Sequence, residues 1–241
     1  MKLTFLSLLF LAMLSCTTAK KVLPSDDDKP MKETSNSDKL TYLALGDSYT
    51  IGEGVKQEGR YPNQLVKQLN LVNSNSWEKA RIIAQTGWTV QELELGIQQE
   101  KMDESTYDLV TLLIGVNNQY RGGSVENYKV EFEKMLNRAI IFAGGNTAHV
   151  AVIAIPNWGV TPFAQAKNVD KKKVKNEVKA YNLAQKTICN EKGISFIDIT
   201  KEYENAGNEL DMLAADGLHP SAKMYEIWEE KLLSHVKTLI Y

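Results

Sequence analysis

Ser48, whose side chain could join those of Asp216 and His219 in driving acyl transfer, stands far from that close pair in this sequence. Ser48 lies where an apolar run starting near Thr41 stops abruptly at Gly46-Asp47-Ser48, with Gly52 and Gly54 just beyond. Such a run reads as a buried strand, and the glycines let the chain turn sharply after it. A serine placed there can present its hydroxyl to a ligand. It needs a base, because an unassisted serine is a poor nucleophile at neutral pH. The chain holds 3 histidines, so each can be weighed. His149 opens a predicted strand and reads as a packing or surface residue. His235 lies inside a predicted helix, one step from Val236, and reads as structural. His219 sits in Asp216-Gly217-Leu218-His219-Pro220, a turn before a helix with a carboxylate three residues upstream. There Asp216 can accept a hydrogen bond from one imidazole nitrogen and leave the other facing a serine, the division of labour in a Ser-His-Asp triad. A helix-capping aspartate beside a surface histidine fits the same spacing.

Acyl transfer also needs donors aimed at the developing oxyanion. The N–H of Ser48, the N–H of Gly87 and the side-chain amide of Asn117 are available at the ends of three successive predicted strands. Glycine admits close backbone approach, and asparagine supplies a neutral donor that cannot compete as a base. Each alone is equally a turn former, but in a parallel sheet the three strand ends lie on one edge. Trp88, Tyr120 and Trp158 also fall just past strand ends, where they can line an acyl or sugar subsite or simply pack.

The elements that must position these groups follow from the apolar pattern. After the first strand, Tyr61-Pro62 opens a helix with Leu65, Val66 and Leu69 on its stripe. Ala80 to Ala84 reads as a second strand, and Thr89 as the cap of a helix carrying Val90, Leu93, Leu95 and Ile97. Tyr107 to Ile114 reads as a third strand, covered on both faces. Ser124 caps a long helix with Tyr128, Phe132, Leu136 and Ile140, stopped by Gly144-Gly145. His149 to Ile155 and Ile194 to Ile199 read as the fourth and fifth strands, separated by a helix around Val174, Val178, Tyr181 and Ile188. Pro220-Ser221 starts a last helix with Tyr225, Trp228, Leu232 and Val236 on one face. Strand and helix alternate without repeats, which predicts one doubly wound α/β domain over residues 40–241 with a parallel sheet of about five strands.

Gly46-Asp47-Ser48, then Gly87, then Gly115-Val116-Asn117, then Asp216 through His219-Pro220 resemble, in order, the four motif blocks of the GDSL or SGNH hydrolases. The resemblance covers the chain from about Thr41 to Tyr241. It implies a flavodoxin-like three-layer α/β/α fold and hydrolysis of esters or related acyl bonds without a metal or organic cofactor. It further implies Ser48 as nucleophile, His219 as base, Asp216 as its orienting acid, and Ser48, Gly87 and Asn117 as the oxyanion hole. The chain departs from the family pattern at Tyr49, where leucine is usual, and at Asn118, where aspartate is usual. The second departure predicts altered local hydrogen bonding with activity retained. Thr50 replaces the second glycine of the Gly-x-Ser-x-Gly elbow of other hydrolases.

The substrate expected is an ester borne by an O-acetylated carbohydrate or by a lipid or lysophospholipid. A rival reading is a non-catalytic surface lipoprotein binding a glycan or lipid in the same crevice. No Gly-x-Gly-x-x-Gly fingerprint supports a nucleotide-binding domain. The composition is that of an ordinary globular chain, 43% hydrophobic and 24% charged, and its net charge of −2 leaves no basic footprint for nucleic acid. Lys171-Lys172-Lys173 reads as a solvated helix face. Cys16 and Cys189 lack both a disulfide framework and zinc-type spacing, and Cys189 reads as an inward-facing helix residue. Lys2 followed by the apolar run Leu3 to Leu14 has the layout of an export signal over residues 1–15. Ser15-Cys16 at its end resembles a bacterial lipoprotein signal, which makes Cys16 a lipidated N-terminus. Residues 16–39, with Asp26-Asp27-Asp28 and little to bury, read as a flexible tether. The expected location is therefore a membrane surface facing the periplasm or the cell exterior.

Overall fold

Five short apolar runs form the strands: β1 (Tyr42–Gly46), β2 (Arg81–Ala84), β3 (Leu109–Leu113), β4 (Val150–Ile153) and β5 (Ser195–Ile197). They belong to a computed structural model that describes residues 39–72, 76–102 and 105–240, with side chains as far as residue 236. The described residues fall in one compact unit, Ser37–Tyr241. The signal, Cys16 and nearly all of the tether predicted above lie outside them.

All neighbouring strands pair in parallel, in the order β2-β1-β3-β4-β5, which is the flavodoxin-like order. Every residue of β1, β3 and β4 is buried, as expected for strands covered on both faces. β2, at one edge, is buried only at Ile83. The strands are shorter than the apolar runs predict, because pairing stops while burial continues: Ile114, Ala154 and Ile155 are all 0% exposed yet lie beyond the strand ends.

The helices are α1 (Ser48–Ile51), α2 (Tyr61–Val72), α3 (Val90–Gln99), α4 (Val116–Tyr120), α5 (Val125–Phe142), α6 (Pro162–Ala166), α7 (Lys171–Lys192), α8 (Thr200–Ala206) and α9 (Ala222–Ile240). The chain runs outward from β1 to β2, then crosses back over β1 to β3 and continues the other way. Right-handed crossovers therefore put α2 on one face and α3, α5 and α7 on the other. α9 packs against α2, and α5 against both α3 and α7. The result is a three-layer α/β/α arrangement. Leu95 is the one predicted stripe residue of α3 that faces out, 57% exposed, whereas Val90, Leu93 and Ile97 are buried. The short α1, α4, α6 and α8 carry no periodic signal.

Reversal of direction between β1 and β3 leaves a crevice beyond their carboxyl ends, where open α/β sheets take ligands. Ser48 follows β1 and Asn117 follows β3.

Candidate active site

Ser48 is presented by a turn with little freedom. Gly46 sits so close to the Leu113 carbonyl and the Thr50 side chain that a Cβ there would collide with both. Asp47 caps α1, its Oδ1 accepting the Tyr49 N–H at 3.0 Å. From the far end of the chain, the Tyr225 hydroxyl of α9 donates to the Tyr49 carbonyl at 2.9 Å. Ser48 is the first residue of α1 and is 4% exposed. Asp47 beside it is completely buried, and burial pushes its carboxyl up to about 7 against the pull of the Tyr49 N–H.

The turn bearing His219 is closed on itself. The Ala214 N–H donates to the His219 carbonyl at 2.7 Å and the Ser221 N–H to the Met212 carbonyl at 2.9 Å. Inside it, Asp216 Oδ1 accepts the backbone N–H of Leu218 (2.9 Å) and of His219 (3.0 Å). Asp216 Oδ2 meets His219 Nδ1 at 2.5 Å. Burial works to raise the Asp216 carboxyl, but the His219 ring and those two N–H groups together outweigh it and hold it below the usual carboxylate range. Asp216 thus closes its own turn and partners the imidazole; it caps no helix, since α9 begins only at Ala222, and His219 is not a surface residue. The His219 ring is nearly buried and lies against Tyr49, ring centroids 5.0 Å apart.

Gly87 and Asn117 are tied together by α4. The Asn117 Nδ2 donates one hydrogen to the Trp88 carbonyl at 2.9 Å, which leaves its second free for another acceptor. Arg121, one turn further along, donates from Nη2 to the Gly87 carbonyl at 2.6 Å and from Nη1 to Glu92 at 3.1 Å. The other Glu92 oxygen accepts the N–H and hydroxyl of Thr89, closing a capping box at the start of α3. The Thr89 N–H, the Arg121 guanidinium and the Thr89 hydroxyl hold the Glu92 carboxyl below its usual range. Gly87 has φ +87°, a conformation only glycine adopts without strain. Asn118 uses its amide as a bridge, accepting from the Val90 N–H (3.1 Å) and donating to Glu131 (3.0 Å). The aspartate usual in the family would set a carboxylate against that glutamate.

Ser48, Gly87, Asn117 and His219 line one cavity of about 190 Å³. Its remaining walls are Tyr49, Thr86, Val116, Tyr120, Trp158, Phe163 and Leu218. No hydrogen bond joins Ser48 to His219 among the described residues; such contacts are often long before substrate binds. Of the three aromatics predicted at the rim, Tyr120 and Trp158 line the cavity, their rings 5.3 Å apart edge to face. Trp88 does not. Its ring lies over Gly96 of α3, where any side chain would strike it. A residue following a strand can turn toward either neighbour, and the missing Cβ of Gly96 gives the indole its place.

His149 ends a short 3₁₀ turn before β4, and His235 lies in α9, its imidazole lowered by burial. Neither lines the cavity. Cys189 is fully buried in α7, which pushes its thiol up to about 12. Among the described residues no group of three or more His, Cys, Asp or Glu could hold a metal ion. The sequence reading missed Arg121, Glu92 and Gln119, along with Phe163 and Leu218 of the wall. Arg121 carried a signal, standing four residues after Asn117 on one helix face; Phe163 and Leu218 carried none.

The fold and the strand-end cavity define an α/β/α hydrolase of the SGNH type. The sequence model described as the GDSL-like Lipase/Acylhydrolase family matches residues 44–227, so the chain belongs to that family and is a hydrolase of carboxylic esters. No curated protein matches it in sequence. Among solved structures it is similar to TesA, at 17% identity and TM-score 0.66 over 83% of this chain and 100% of the other. It is likewise similar to the psychrotrophic esterase EstA from Pseudoalteromonas sp., at 15% identity and TM-score 0.63 over 83% and 98%. A third is an acetyl-xylooligosaccharide esterase from Geobacillus Stearmophilus, at 18% identity and TM-score 0.62 over 82% and 94%. At these identities the likeness is one of fold.

Proposed function

We propose that the chain cleaves an acyl ester through a covalent intermediate on Ser48. The Asp216–His219 contact of 2.5 Å carries this reading, because that imidazole and Ser48 line the same cavity. The Ser48 Oγ attacks the ester carbonyl carbon while His219 Nε2 takes its proton. The negative charge that develops on the carbonyl oxygen is met by the N–H groups of Ser48 and Gly87 and by the second Asn117 amide hydrogen. When the intermediate collapses, the C–O bond to the alcohol breaks and His219 returns the proton to the departing oxygen. Water then repeats the sequence on the acyl-enzyme, releasing the acid and freeing Ser48. Asp216 stays ionised throughout, fixing the tautomer and steadying the imidazolium.

The experiment is turnover of p-nitrophenyl acetate by the whole chain and by Ser48→Ala. Hydrolysis that disappears in the variant, with a serine-directed phosphonate labelling only the parent, is the expected result. Absence of both turnover and labelling would instead favour a protein that only binds a glycan or lipid. We also propose that residues 1–15 direct export and that Cys16 carries the lipid anchor; both lie outside the described residues.

A further inference from the structure

Taking Ser48 as the nucleophile, we propose that the site accepts esters of short acyl groups, up to about four carbons, and that Trp158, held by Gln119 and Glu177, sets this limit. The cavity's lining combines polar groups at Ser48, Gly87, Asn117 and His219 with the apolar side chains of Val116, Tyr120, Trp158, Phe163 and Leu218, which suit the hydrocarbon part of an ester. The cavity measures about 190 Å³. At about 30 Å³ for each water-sized group it holds about six, of which the ester carbon and its two oxygens take about half. What remains suits acetyl to butanoyl.

A wall limits chain length only if it does not yield, and this one is anchored. The Trp158 Nε1 donates to Gln119 Oε1 at 2.8 Å, and Gln119 Nε2 donates to Glu177 Oε2 at 2.8 Å. Trp158 and Gln119 are each 5% exposed. Gln119 lies in α4 and Glu177 in α7, so two helices fix the indole from behind. The backbone is held as well: the Thr161 hydroxyl donates to the Trp158 carbonyl at 2.7 Å, and Asn157 Oδ1 accepts the Gly159 N–H at 3.2 Å. Tyr120 and Phe163 meet the indole edge to face at 5.3 and 6.4 Å. Swinging the ring aside breaks a buried hydrogen bond and leaves the Gln119 carbonyl unpaired, which is costly. Trp158 is therefore a lining residue, and Gln119 and Glu177 are positioning residues that act through it.

The test is kcat/KM of the whole chain for p-nitrophenyl acetate, butanoate and octanoate. Acetate and butanoate should exceed octanoate by about tenfold or more, since even one methylene that an apolar pocket has no room for changes selectivity by about that factor. Trp158→Ala should raise the octanoate-to-acetate ratio by about tenfold, and Glu177→Ala by a smaller factor, about threefold. Octanoate cleaved as well as acetate by the parent overturns the proposal, as does a ratio unmoved in Trp158→Ala. Should that variant fail to fold, the parent profile and the partly exposed Glu177→Ala decide. Turnover with a flat chain-length profile removes only the length limit. No turnover on any ester, with Ser48 unlabelled by the phosphonate, removes the nucleophile beneath it.

Discussion

Asn117 of α4 and Arg121, which caps its C-terminal end, stand one turn apart, and they donate to neighbouring carbonyls of one turn, Trp88 and Gly87 respectively. Two consecutive carbonyls are thus held on one side, fixing how the Gly87 peptide sits beside Ser48. If Asn117 is the oxyanion donor proposed above, Asn117→Ala should lower kcat by about 10²- to 10³-fold. Arg121→Ala should lower kcat by about tenfold with KM little changed, because it loosens the geometry without touching the ester. Equal kcat in Arg121→Ala and the parent would show that Gly87 needs no such support. Asp47 makes a different prediction. With its carboxyl raised from 3.8 to about 7, the folded state binds a proton that the unfolded state has lost between those values. Stability from this group therefore falls as pH rises across that window, by an amount on the order of a few kcal/mol. Asp47→Asn keeps an acceptor for the Tyr49 N–H and does not titrate. Its Tm relative to the parent should climb between about pH 4 and about pH 7, the window between the ordinary and the raised value, and level off above. A difference that is constant with pH would show that Asp47 does not change charge there.

At the scale of elements, the long helices and buried strands were legible in the sequence, and the reason is periodicity. α5 and α9 repeat their apolar residues over many turns, so errors average out. α3 shows what happens when they do not. At about 100° per residue, Leu95 points about 200° away from Leu93, so its apolar character misled where its angle did not. Leu93→Ala should accordingly cost about 2–5 kcal/mol in denaturant unfolding. Leu95→Ala should stay within about 0.5 kcal/mol. Comparable losses would mean that the exposed Leu95 is covered in solution. The site divides in the same way. Ser48, Asp216 and His219 were readable because their partners are a few residues away or at a strand end. Phe163 and Leu218 reach the cavity only through tertiary packing, and Trp88 left it because of a glycine eight residues on. α4 escaped notice because five residues are too few to show a helical stripe.

For the whole molecule, the described residues contain no helix long and apolar enough to cross a membrane. Attachment, as proposed, rests on lipid at Cys16, where more than one acyl chain is needed for stable anchoring. Cys16→Ser should abolish incorporation of labelled palmitate and move the protein from the membrane pellet to the soluble fraction. Label retained in the variant would place the anchor elsewhere. The cavity is itself a product of the entire sheet. Each strand gives way to a segment that supplies part of its lining: Ser48 and Tyr49 after β1, Thr86 and Gly87 after β2, Asn117 and Tyr120 after β3, Trp158 and Phe163 after β4, Leu218 and His219 after β5. No wall comes from within a strand. Substitutions inside the sheet therefore reach the site through packing, while an insertion in one connection reshapes one sector directly and touches others only through bonds such as Arg121 to Gly87 and Trp158 to Gln119. Selectivity in such a molecule can be retuned piecemeal, with the reacting oxygen left where it is.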